Sequence, residues 1–167
     1  MRLFITKAAS AVILAAAALS TVAAEAAPAT ATGTARARIL KQVTITNTSD
    51  LDFGTIVPAT AAGTVGVSTG GARTCGAGLT CTGTTSAANF NITGTVGTVV
   101  TVTAPASVTM TSGTNSMTAT LTRSAATVTL AGGAVNGTVQ VGGTLNVAAT
   151  QADGTYSGTF NVTIDYQ

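Results

Sequence analysis

The closing stretch at residues 154–167, GTYSGTFNVTIDYQ, decides the fold class. Its even positions are Tyr156, Gly158, Phe160, Val162, Ile164 and Tyr166, and its odd positions are Ser157, Thr159, Asn161, Thr163 and Asp165. One face is apolar except at a glycine; the other is wholly polar. Successive side chains of a strand leave opposite faces of the sheet, so this alternation is that of a half-buried antiparallel strand. Burying four or five such side chains contributes on the order of 1.5–3 kcal/mol each. The reading is a C-terminal strand over 155–166 that walls the core.

The same period of two runs upstream in shorter pieces. Threonine, with 36 copies, dominates the chain, and its β-branched side chain favours strands while its hydroxyl suits a wet sheet face. Val43 and Ile45, Leu51 and Phe53, Val65 and Val67, Phe90 and Ile92, and Val108 and Met110 each mark a strand between turn signals. So do Met117 with Ala119 and Leu121, and Val128 with Leu130. Turns are expected at 47–50, 69–71 and 112–113. The more continuous run at 96–103 predicts a strand buried on both faces. Gly142-Gly143 predicts a turn separating Val139 and Val141 from Leu145 and Val147. Beyond the first 26 residues no window has the i, i+3, i+4, i+7 spacing of an amphipathic helix. Strands every 8–12 residues or so with glycine-rich turns predict an all-β sandwich or barrel.

Residues 1–26 read as a secretory signal peptide. Arg2 and Lys7 precede an apolar run at 8–19, and small residues follow in TVAAEAAPA. Cleavage after Ala24 or Ala26 fits the small-residue rule, and Ala26 is taken here. The run is shorter than the roughly 20 residues of a spanning helix, so the mature chain is expected to have no transmembrane span and to be exported. Residues 27–40 form an N-terminal extension or a first strand, and 41–167 the β domain. In the extension Ala29, Ala31, Gly33, Ala35, Ala37 and Ile39 alternate with Thr30, Thr32, Thr34, Arg36 and Arg38. The apolar side of this ribbon is built of very small groups, worth about 3–4 kcal/mol on burial, so its attachment would rest mainly on backbone hydrogen bonds.

Composition excludes most chemistries. With no histidine there is no Ser-His or Cys-His pair, and the chain is expected to be no enzyme and to need no cofactor. Five basic and four acidic residues follow residue 26, too few for a phosphate-tracking surface, so no nucleic-acid partner is expected. Arg36, Arg38 and Lys41 are the one basic cluster and read as a solvated strand face or charged edge. Asp50 and Asp52 read as turn residues bonding their own backbone rather than an ion site. Asn-x-Ser/Thr triplets at Asn47, Asn91, Asn136 and Asn161 are ascribed to the abundance of threonine. Cys75 and Cys81, in CGAGLTC, read as a disulfide in an oxidising compartment, pinning a local glycine-rich hairpin or loop.

Three stretches, ITNTSDLDFGTIVPATAAGTV at 45–65, VGGTLNV at 141–147 and the closing GTYSGTFNVTIDYQ, resemble a family of secreted Gram-negative proteins known as domain of unknown function 4402. That family in turn is similar to the major subunits of Mat/Ecp-type (common pilus) fimbriae, through the closing strand with its penultimate Tyr166 and the small-residue extension. The resemblance implies an immunoglobulin-like, pilin-like β-sandwich that lacks a strand, filled by a neighbour's extension. It also implies self-association into a fibre with the help of a periplasmic chaperone and an outer-membrane usher. On that reading residues 29–39 are the donor, and Tyr156, Phe160, Val162, Ile164 and Tyr166 line the acceptor groove. The alternative is a monomeric secreted or envelope-associated β-sandwich that binds a ligand.

Overall fold

A computed structural model describes residues 26–58 and 60–167, and the signal-peptide reading lies almost wholly outside them. Two units are distinguished, Met1–Ala37 and Arg38–Gln167. Of the first, the described residues are exposed and enter no strand.

The second unit is an all-β antiparallel sandwich of twelve strands. Its organiser is β11 (Gly137–Val147), an eleven-residue strand with neighbours on both edges. Residues 137–141 of β11 pair with β6 (Ala88–Thr93), and 143–147 pair with β3 (Gly63–Val67). The opposite edge of residues 141–145 pairs with β9 (Asn115–Arg123). The sheet continues from β6 to β1 (Thr44–Ser49), from β3 to β4 (Arg73–Cys75), and from β9 to β8 (Ser107–Ser112). A three-stranded sheet has β7 (Val99–Thr103) between β10 (Thr127–Thr129) and β12 (Thr163–Tyr166). A third small sheet pairs β2 (Thr55–Val57) with β5 (Thr80–Thr82).

Alternation along β11 feeds two cores. Val139 and Val141 join Ala88, Phe90 and Ile92 of β6, Val100 and Val102 of β7, Leu130 and Ile164. Leu145 and Val147 join Phe53, Val65, Val67, Val108 and Ala119. Leu51, Leu121 and Phe160 touch both.

Several sequence expectations need correction, among them the turn at 47–50, where β1 instead runs on to Ser49. Gly142-Gly143 is no turn: β11 runs straight through it. A side chain on Gly142 would strike the Val67 carbonyl oxygen, and one on Gly143 would come within 2.6 Å of the Thr120 carbonyl oxygen. The pair is there because neighbouring backbones crowd β11 from both edges. The run at 96–103 is not buried on both faces: Val96 lies 54% exposed in a turn, and β7 buries only Val100 and Val102. The C-terminal strand is shorter than 155–166. Ser157 makes an isolated bridge to Thr111 of β8 and the chain then crosses to the other sheet, where β12 pairs with β7 from Thr163. Leu51 and Phe53 lie outside strands, although Phe53 is buried against the second core.

Candidate strand-acceptor seam

The first core, like the second, has half-buried side chains on its rim. Val43 and Ile45, from the start of β1, and Phe160, Val162 and Tyr166, from the C-terminal segment, pack against it without being enclosed. Of the five expected groove residues, Ile164 is fully buried and Tyr156, Phe160, Val162 and Tyr166 are half-buried. Tyr156 stands apart from the first core; its hydroxyl donates to Ala152 O at 2.9 Å and accepts from Gln151 Nε2 at 2.7 Å.

Both β1 and β12 are edge strands, as β4 and β10 are. Among the described residues β1 pairs only with β6, and β12 only with β7, so each presents an outer edge with no strand partner. An unpaired edge beside partly covered apolar side chains is a template for a further strand. The expected donor residues Ala29, Ala31, Gly33, Ala35, Ala37 and Ile39 are all exposed, Ile39 to 93%, and residues 27–40 belong to no strand.

The Tyr166 side chain of β12 reaches across to the residues that precede β1. The Tyr166 hydroxyl donates to the Lys41 carbonyl at 2.8 Å and accepts from the Thr95 backbone N–H at 2.8 Å. The Lys41 N–H donates to Thr95 Oγ1 at 2.7 Å, closing a ring of three hydrogen bonds. Sequence reasoning placed Tyr166 on the apolar face and missed this. The available signal was the phenol itself, since a tyrosine packed on a core must still find a partner for its hydroxyl. Asn136, dismissed as compositional, is buried beneath the ring's platform. Its Oδ1 accepts the Gly94 N–H at 2.8 Å, and its Nδ2 donates to the Ala131 and Gly133 carbonyls.

The second core is sealed differently. Cys75 and Cys81 are disulfide-bonded with Cα atoms 6.1 Å apart. The bond closes the glycine-rich loop 76–79, as expected, and because β4 pairs with β3 and β5 with β2 it also ties the large sheet to the small one. Beside it the Arg73 guanidinium donates to the carbonyls of Thr82 at 2.7 Å, Cys81 at 3.1 Å and Gly83 at 3.2 Å. Ile56, Leu79 and Cys81, held by this arrangement, pack on the second core.

Asp50 and Asp52 are engaged locally. Asp52 Oδ1 accepts the Gly54 N–H at 2.7 Å, and Asp50 Oδ1 accepts from Asn47 Nδ2 at 2.8 Å. Arg36, Arg38 and Lys41 are exposed. Two surface depressions, one beside Ser86 and Gln140 and one beside Thr64 and Thr122, are lined mainly by threonine, serine and glycine, and no titratable side chain lines either. Such walls offer hydroxyls and backbone groups but no acid, base or thiolate.

No curated protein and no solved structure shows a significant match to this chain. A family model described as "Domain of unknown function (DUF4402)" matches residues 43–166, which include every strand from β1 to β12. The match takes in both cores and the C-terminal segment, and on it the chain belongs to the DUF4402 family.

Proposed function

We propose that this protein is a non-enzymatic structural subunit of an exported surface fibre, a fimbria of the chaperone–usher type, in which residues 27–39 of one copy complete the sandwich of the next. The observation that carries the reading is a pairing of opposites within one sequence. The first core is flanked by two unpartnered strand edges and half-buried apolar residues, while the leading segment alternates small apolar with polar residues and enters no strand. A strand added along β1 or β12 would satisfy backbone groups there and cover Val43, Ile45, Phe160 and Val162. The partners on this reading are further copies of the same chain, a periplasmic chaperone that shields the seam before assembly, and an outer-membrane usher.

Small donor side chains fit a shallow seam. The rim residues already pack on the first core, so the added strand has little depth to fill, and its hold comes chiefly from the ladder of backbone bonds. Each such bond contributes about 1 kcal/mol net, and a ladder of several acts together.

The test is assembly. Purified mature chain should give a ladder of multimers on unheated SDS gels, and deleting residues 27–38 should abolish the ladder while leaving a folded domain by circular dichroism. A full-length chain that stays monomeric at high concentration and beside its cognate chaperone and usher contradicts the proposal, leaving a monomeric envelope-associated β module.

A further inference from the structure

We propose that the Lys41–Thr95–Tyr166 hydrogen-bond ring is a latch at the root of the leading segment that disfavours folding of residues 29–39 back along the outer edge of the chain's own β1, so that complementation there occurs between copies. The proposal rests on the strand-exchange reading and adds to it the selection of a partner's segment over the chain's own.

β1 begins at Thr44 and the apolar alternation of the extension ends at Ile39. For a chain to lay its own residues 29–39 along the outer edge of its own β1, it must reverse within residues 40–43, a corner of hairpin length. Lys41 lies inside that corner, and both of its backbone groups are already committed, the N–H to Thr95 Oγ1 and the carbonyl to the Tyr166 hydroxyl. The β1–β6 ladder ends at Thr44 opposite Thr93, so the ring carries the attachment three residues further along the leading chain, to Lys41. Reversal in the same chain therefore breaks the ring. A segment arriving from a second copy needs no such corner and leaves the ring intact.

The platform under the ring is built to hold it. Gly94 has its N–H fixed by the buried Asn136 side chain, and a Cβ there would come within 2.6 Å of the Tyr166 hydroxyl oxygen and 2.7 Å of Leu130 Cδ1. Glycine at this place is what lets the hydroxyl reach Thr95 and Lys41. Four stretches far apart in sequence, at 41, 94–95, 136 and 166, are thus linked by hydrogen bonds. The weak apolar face of the extension makes the latch effective, because a segment with little to bury gains little by displacing three hydrogen bonds.

Tyr166→Phe in the full mature chain keeps the ring system on the core and removes the hydroxyl. In dilute, monomeric samples the amides of residues 29–39 are expected to exchange with solvent about tenfold or more slowly in Tyr166→Phe than in the unsubstituted chain, as the segment folds back along its own β1. Conversion to an SDS-resistant form should become independent of protein concentration. Thr95→Ala, which removes the acceptor for the Lys41 N–H, should act in the same direction and serves if the first variant does not fold. Unchanged exchange at 29–39 in the folded variants overturns the latch. The strand-exchange reading fails separately, if the unsubstituted chain forms no multimers when concentrated.

Discussion

The two halves of β11 support cores that are finished in different ways. Beneath residues 143–147 the core is closed by the chain itself, with Phe53, Ile56, Leu79 and Cys81 held over it and the covering sheet tied by the Cys75–Cys81 bond and the Arg73 guanidinium. Beneath residues 137–141 an equally apolar core has half-buried residues from both ends of the β domain on its rim, and the Tyr166 hydroxyl bonds across to the Lys41 carbonyl. The contrast lies in the rim. Both cores contain fully buried residues, but one rim is fastened covalently and the other by a hydroxyl that binds the backbone at two points. On the strand-exchange proposal, one half is fastened within the chain and the other takes on a further strand.

The largest expected effects test whether the interiors are equivalent. Ile92→Ala in the first core and Leu145→Ala in the second should each lower unfolding free energy by about 2–5 kcal/mol in urea denaturation of the domain lacking residues 27–38. If Ile92→Ala is nearly neutral, the first core is not packed in the isolated domain and the comparison breaks. A smaller effect belongs to the fastened rim. Replacing both Cys75 and Cys81 with serine should cost about 2 kcal/mol, the loop entropy of so short a crosslink, while leaving the multimer ladder in place. The smallest belongs to the open rim. Val162→Ala should cost about 1 kcal/mol in the isolated domain and clearly more in assembled multimers, read as the difference between their thermal transitions, because assembly covers that side chain.

The period of two was enough to read most of this fold. Val65 and Val67, Phe90 and Ile92, and Met117, Ala119 and Leu121 fall on strands with the burial their alternation implies, because local pattern and global packing agree there. Gly142-Gly143 was misread because a glycine pair that breaks a ladder and one that lets two backbones approach look the same in sequence. The run at 96–103 was misread because its first residues turn before the strand begins, leaving Val96 in solvent. Alternation through residue 166 was legible, but the crossing of that segment from β8 to β7 was not, since extended chain keeps its period whether or not it is paired. The disulfide pairing was legible from spacing and compartment; which sheets it joins depends on strand order. The ring at Lys41 depends on contacts 54, 71 and 125 residues apart, and no local signal carries those.

The central claim is that the flank between β1 and β12 accepts residues 27–39 of another copy. It is tested most directly by titrating a synthetic peptide of residues 27–40 into the domain lacking 27–38 and following backbone amides by NMR hydrogen exchange. The account predicts new protection confined to 44–49 and 163–166, with a melting temperature that rises with peptide concentration. Unchanged exchange on both strands at saturating peptide, or protection appearing on β4 or β8 instead, would contradict it.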